Sequence, residues 1–277
     1  MPIDRDAIHE IEYEESFVAF LDVLGFKQMI RSQNRTKVNK YFGIVNSAIE
    51  YLNTIPSKSE IGSIVISDSV ILAVPNNGDR EEKINKLRQL CIAVGLIQQN
   101  LAVEGIWLRG AISCGDTYFS SSENQIVGPA YIDAYILEEQ LAINPRVILD
   151  SKLIPKLDYD NASKLIDDIN KSDLGGLEYS NWGSRVLFEW TDPTGGLVTE
   201  IPQDLPLFID YLSPLIEAEN RNSVNKVLKH VQKNMYSDSR VYSKYRWVAD
   251  YMKALAKRAQ LNDYQLTEAQ QYKLDTL

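Results

Sequence analysis

The sequence predicts an α/β sandwich (α+β): a mixed, mainly antiparallel sheet covered by helices, with a helical C-terminal extension. Three observations carry this reading. The stretch Phe17-Val-Ala-Phe-Leu-Asp-Val-Leu-Gly-Phe26 is apolar from Phe17 to Leu21 and then meets a glycine, the pattern of a buried strand entering a tight strand-to-helix turn. Ile61 to Pro75 holds two short apolar runs joined across Ser67-Asp68-Ser69, which reads as a β-hairpin with a polar tip. Between and after them, apolar residues recur at helical spacing, first at Val38, Phe42, Val45, Ile49 and Leu52, then at Ile84, Leu87, Leu90, Cys91, Val94 and Ile97. Helices interleaved with strands in this way cover a sheet.

Taken in order, Lys27 to Ile55 predicts one or two helices, ended by the polar turn Pro56-Ser57-Lys58-Ser59. Asp79 or a neighbour caps a long helix from Glu81 to Val103. Trp107 to Gly115 is a strand that carries Arg109 beside Gly110, and Asp116 to Asn124 reads as a turn or loop. Ala130 to Leu141 is helical and Asn144 to Leu149 returns to strand. Residues 150–184, rich in Asp, Lys and Ser, read as a peripheral insertion, and Arg185 to Trp190 as a further strand. Pro193 to Pro206 is a loop; Phe208 to about Met235 and Ser239 to about Arg258 are helices; the tail from Leu261 has little core signal. The natural division is an α/β domain over 1–190 and a helical extension over 191–277.

Composition narrows the function classes. A net charge of −9 argues against broad binding to duplex nucleic acid or to an anionic membrane, although a local basic site for a small anion stays open. The two cysteines, Cys91 and Cys114, sit in apolar elements and read as buried thiols, which fits a reducing, cytoplasmic compartment. The N-terminal stretch is acidic without an apolar signal core, and no apolar run approaches the roughly 20 residues of a membrane helix. His9 and His230 have no partners at metal-ligand spacing, and Gly175-Gly176 and Gly195-Gly196 lack the Lys-Ser/Thr of a phosphate loop.

Two carboxylates stand out. Asp22 closes an apolar strand, where an unpaired charge is costly to bury. It either caps the following helix or faces a cleft and binds a cation. Asp68 sits at the hairpin tip, and in an antiparallel sheet the two points can be adjacent. Two converging carboxylates repel unless one is protonated or a cation bridges them. Magnesium or manganese suits such oxygens and commonly also holds substrate phosphates. The turn from Val23 to Phe26 would add backbone N–H groups at a helix start, where a phosphate can sit. Arg109 fits a phosphoryl-transfer site as a stabilising cation, or equally a structural ion pair on the sheet.

These residues carry a resemblance. Phe20-Leu-Asp-Val-Leu-Gly-Phe26 and Ser67-Asp-Ser69, at this separation, resemble the two metal-binding segments of class III nucleotidyl cyclases. Leu108 to Gly115, Gly128-Pro-Ala130, the stretch from Ala134 to Glu138, Pro145-Arg-Val-Ile148 and Lys244 to Tyr251 resemble the bacterial pyrimidine cyclases of the Pycsar antiphage systems. The resemblance covers about 17–150 well and the C-terminal third loosely. It implies that residues 1–190 form a catalytic domain converting UTP or CTP to a 3′,5′-cyclic monophosphate and pyrophosphate, in antiphage signalling sensed by a separate effector. It implies two divalent ions, Mn2+ or Mg2+, on Asp22, Asp68 and the Val23 carbonyl, phosphates met by Leu24, Gly25 and Phe26, and a homodimer with composite sites.

The departures are as informative. Purine cyclases place a base-reading Lys four residues before the second metal Asp, and Ile64 stands there in this chain. Their transition-state Asn and Arg correspond to Ile132 and Ile136. The first loss favours a pyrimidine, and the second leaves Arg109 and Arg146 as the nearest basic residues, with Tyr51 or Tyr41 able to narrow the pocket around a small base. Two rivals remain: an adenylate or guanylate cyclase with a rebuilt base pocket, and a nucleotide-binding module that does not turn over.

Overall fold

The computed structural model describes residues 11–54, 61–171, 186–188, 207–217, 220–261 and 265–277. The expected turn at Pro56–Ser59, the loop from Pro193 to Pro206, both glycine pairs, His9 and most of the Arg185–Trp190 strand lie outside them. Six strands are formed there: β1 (Glu14–Val23), β2 (Gly62–Ile66), β3 (Ser69–Pro75), β4 (Leu108–Ser120), β5 (Gln125–Val127) and β6 (Val147–Leu149). The helices are α1 (Phe26–Arg31), α2 (Arg35–Asn53), α3 (Arg80–Val103), α4 (Pro129–Gln140), α5 (Leu153–Lys156), α6 (Ala162–Lys171), α7 (Ser213–Glu217), α8 (Arg221–Met235), α9 (Ser239–Leu261) and α10 (Glu268–Asp275). The fold is mixed α/β with a mainly antiparallel sheet and covering helices. No helix among the described residues is long and apolar enough to cross a membrane.

The sheet runs β2-β3-β1-β4-β5, with β6 beside β4 as the one parallel neighbour among the described strands. β1 is central because both its faces are apolar. Phe17, Ala19, Leu21 and Val23 point into the main core, shared with Leu87, Leu90 and Val94 of α3. Val18 and Phe20 point the other way, into a small second core with Ile64, Ile71, Ala73, Ala130 and Ala134. Alternation along one strand thus feeds two layers. α3 starts where its cap dictates: Glu82 N–H donates to the Asp79 carboxylate and Asp79 N–H to the Glu82 side chain, a capping box.

Four expectations are corrected. β4 continues through Asp116 to Ser120 rather than turning, because its backbone pairs with Glu14 and Glu15 of β1 and then with β5. Side-chain polarity suggested a loop, but ladder bonds are made by the main chain. The described part of 150–184 is not peripheral: Leu153, Leu157, Leu165 and Ile169 are buried, and Asn170 bonds the backbone of Val186 and Leu187. Phe208 to Met235 is not one helix. Residues 207–209 are extended along β6, where Leu149 N–H donates to the Leu207 carbonyl at 2.7 Å, and Pro214 then opens the short α7. The tail does join the core, since Leu274 is buried and Gln270 donates to the Arg221 carbonyl.

The C-terminal helices are fastened by a polar knot. Asp210 and Arg258 are both buried and pair at 3.6 Å, while the Tyr251 hydroxyl and the Ser213 N–H also donate to Asp210. An ion pair so deeply desolvated adds little net stability, but removing one partner would strand the other.

Candidate active site

The register brings the two sequence-predicted carboxylates to one end of the sheet. Asp22 lies opposite Ser69 of β3 on one side and Arg109 of β4 on the other. The β2–β3 turn carrying Asp68 folds against the end of β1, where Val23 N–H donates to the Asp68 carbonyl at 3.0 Å. Ser67 takes a φ of 59° to make that turn, a left-handed conformation that a residue with a Cβ adopts at some cost. Past Asp22, Leu24 N–H donates to the Trp107 carbonyl at 2.8 Å, and Gly25 turns the chain into α1 at a φ of 76°. Gly110 keeps β1 and β4 close: a Cβ there would meet the Phe20 carbonyl oxygen at 2.4 Å.

Arg109 sits between two acids. Its Nε–H is aimed at Asp22 Oδ2 at 3.2 Å, while Glu138 Oε1 of α4 lies 2.6 Å from the same nitrogen without hydrogen-bond alignment. Burial, the largest cause, pushes the Glu138 carboxyl up to about 7, with Arg109 opposing and Asp22 adding to the rise. Asp22 is raised for the same reasons, first burial, then the opposing pull of Arg109 and the push of Asp68. Lys244 of α9 reaches this cluster from the C-terminal helices, and burial followed by the Arg109 charge lowers its pKa. Tyr41 of α2 is fully buried, stacks edge-on to Phe26 at 5.8 Å, and is raised by burial and by the charges of Asp68 and Asp22.

Among the described residues no group of three or more Asp, Glu, His and Cys side chains could hold a metal ion. Any cation here would therefore rest on the Asp22–Asp68 pair and the Val23 carbonyl, completed by water and substrate oxygens, as magnesium sites commonly are. The surroundings fit that. The Asp68 charge adds to the raised proton affinity of Asp22, and the buried Tyr41 hydroxyl beside them has no hydrogen-bond partner among the described residues. A hydrated hard cation would relieve the first and satisfy the second. Arg109 competes for Asp22 and would have to give up part of that contact.

The structure sorts the other sequence candidates. Asp22, Asp68 and Arg109 come together, with Val23, Leu24 and Gly25 beside them; Phe26 opens α1 with its ring buried. Tyr51, expected against a base, is exposed on α2, ten residues and so about 15 Å along the helix from Tyr41. Arg146, expected to contact substrate, is buried with its guanidinium over Phe208 and Trp247 at 5.9 and 5.7 Å, where it braces the C-terminal helices on β6. Glu138 and Lys244 were not foreseen as site residues. Glu138 had a signal, as the acid that follows Ala130 and Ala134 at i+4 spacing on the buried face of α4. Lys244 opens the stretch to Tyr251 that carries part of the resemblance, but no local pattern put it at the site, because only the packing of α9 brings it here.

No family model matches the chain, and no curated protein matches it. Similar solved structures include two of a bacterial light-regulated adenylyl cyclase. The first is 16% identical with a TM-score of 0.36 and covers 57% of this chain and 49% of its own, so the chain spans about half of that protein's length. The second is 18% identical with a TM-score of 0.34, and covers 50% of this chain and 76% of its own.

Proposed function

We propose that this protein is a metal-dependent nucleotidyl cyclase of the class III kind that acts on a pyrimidine nucleoside triphosphate. The observation that carries the reading is the meeting of Asp22 and Asp68 at one sheet end, locked by the Val23–Asp68 backbone bond and beside the Gly25 turn. In the reaction the ribose 3′-oxygen bonds to the α-phosphorus, the bond from that phosphorus to the pyrophosphate oxygen breaks, and the 3′-hydroxyl proton passes to solvent water. Bound Mn2+ or Mg2+ would acidify the hydroxyl and screen the triphosphate. The chain's own part is to position: Asp22 and Asp68 orient the oxygens, the Gly25–Phe26 backbone at the start of α1 meets the phosphates, since the Leu24 N–H expected there is spent on the Trp107 carbonyl, and Arg109, held by Glu138, offers charge where the leaving group develops its own.

The pyrimidine preference rests on Ile64, which is buried in β2 at the position where purine cyclases read the base with Lys. The composite homodimer is supported by the α4 side of the sheet. There Ile66, Ile132, Tyr135 and Ile136 stay exposed beside an apolar groove of about 430 Å3 lined by Ile64, Ile71, Val127 and Tyr131. A second copy facing this side would bury it and bring a partner surface to the Asp22 rim. A role in antiphage signalling, with cyclic UMP or cyclic CMP read by a separate effector in the cytoplasm, follows from the Pycsar resemblance. Incubation with each of the four NTPs and Mn2+ tests the reading: a cyclic pyrimidine product, lost in Asp22→Ala, is expected, and a cyclic purine product would reassign the base. The ion pair between Arg109 and Asp22 favours a second reading, a module that binds NTP without turnover; metal-dependent NTP binding with no cyclic product would establish it.

A further inference from the structure

A cavity of about 430 Å3 opens on the far side of the Leu24–Gly25 turn, between that turn and the C-terminal helices. Gln28 of α1 and Lys37 of α2 form one wall, and Lys244 of α9 with the α8–α9 junction forms the other. Its volume falls in the roughly 300–1,000 Å3 range of small-molecule sites. Neither Asp22 nor Asp68 lines it.

In a chain of net charge −9, the charge here is inverted. Two lysines line the cavity, and Lys233 lies close enough to Lys37 to lower its pKa further after burial has done most of the work. Just outside, His230 is also held down, first by burial and then by Lys37, with Glu104 opposing and Lys229 and Lys233 adding to it. The single carboxylate in the lining, Asp238, is already taken: Arg240 contacts both its oxygens, at 3.1 Å through Nε and 2.6 Å through Nη2. Lys37 spends one N–H on the Gly105 carbonyl at 2.7 Å and keeps two. Lys244 makes no hydrogen bond or ion pair among the described residues and keeps all three. Each lysine carries an unfavourable positive neighbour, Lys233 for Lys37 and Arg109 for Lys244, which a bound anion would offset.

We propose that this cavity binds a polyphosphate anion between Lys37 and Lys244, so that the C-terminal helices supply half of an anion site. Two ammonium groups on separate helices suit two or more linked phosphates better than a single one. The anion has two possible sources, the polyphosphate end of the substrate or a separate phosphorylated ligand. Assigning it to the substrate rests on the cyclase reading; the binding itself does not.

Calorimetry of the full chain with inorganic tripolyphosphate, at low ionic strength and with divalent ions chelated, tests this. Saturable binding is expected, weakened at least tenfold in Lys37→Gln and in Lys244→Gln, largely restored in Lys244→Arg, and unchanged in Lys164→Gln on the remote α6. Absence of binding overturns the proposal. So does wild-type affinity in both glutamine variants when their thermal melts show them folded. Competition between tripolyphosphate and NTP assigns the site to the substrate tail, whereas simultaneous binding assigns it to a separate ligand. Charge-dependent tripolyphosphate binding in a protein that makes no cyclic product keeps this site and ends the cyclase reading.

Discussion

The two faces of the sheet are built from one strand yet differ in what covers them. The face carrying Phe17, Ala19 and Leu21 lies under α3 and joins a core that continues into the C-terminal helices. The face carrying Val18 and Phe20 has α4 alone among the described helices of its core, and leaves Ile66, Val127, Ile132, Tyr135 and Ile136 exposed around it. Asp22 has the parity of Val18 and Phe20, so its carboxylate belongs to the thinly covered face, where Arg109 and Glu138 meet it. Stability thus resides on one side of the sheet and the proposed chemistry at the rim of the other. A site at the edge of an incompletely covered face can be completed by a second subunit, which a site inside the main core could not.

The largest expected effect is at the rim. Asp22→Asn and Asp68→Asn are each expected to lower cyclic-product formation by about a hundredfold or more, since each removes a metal-binding charge. Thermal melts should move little. If either variant keeps near-wild-type turnover with Mn2+, the rim is not the site.

The next effect separates the faces by stability. Leu72 is fully buried in the main core, and Leu72→Ala is expected to destabilise the fold by about 2–5 kcal/mol. Ile132→Asp, on the exposed side of α4, is expected to stay within about 0.5 kcal/mol of wild type in urea denaturation at a protein concentration where both are monomeric. The same Ile132→Asp variant should instead shift the mass seen by light scattering from dimer to monomer, with activity falling in step. A wild-type protein that is strictly monomeric at the assay concentration would break the link between the open face and the site.

The smallest effect concerns Glu138, the acid that seals the rim to α4. Its folded pKa of about 7 lies above the ordinary carboxylate value of 4.5. Between those values the native state holds a proton that the unfolded chain has lost, so stability falls with rising pH. The contribution is full below about 4.5 and gone above about 7. Denaturation midpoints measured across that window should slope downward in the wild type and less steeply in Glu138→Gln; equal slopes would remove Glu138 as their source.

Much of this architecture is legible in local pattern. The β1 strand, the hairpin around Asp68, α3 with its Asp79 cap and α4 all follow from apolar spacing and turn chemistry, because neighbours in sequence determine them. Where the pattern misled, the competing term was non-local. The polar outer half of β4 is a strand because β1 and β5 supply ladder bonds, and Leu274 is buried because α8 and α9 come back to meet it. At the site, Asp22 and Asp68 stood out as isolated charges in apolar context, a signal that desolvation cost makes readable in one dimension. Tyr41 could not be told from Tyr51 without knowing which way α2 turns. Arg146 read as a cation near the site, and only the fold shows the rings of Phe208 and of Trp247 on α9 over it.

The sequence by itself determined which segments are strands and helices up to about Gly115 and which two carboxylates are out of place, since both follow from local hydrophobic period and the cost of burying charge. Only the tertiary structure decided that Arg109 is shared between Asp22 and Glu138, that Lys244 and Lys37 share a cavity, and that one sheet face stays half covered. Those are consequences of register and of helix packing between residues far apart in the chain, and no local pattern encodes the direction from which a distant helix arrives.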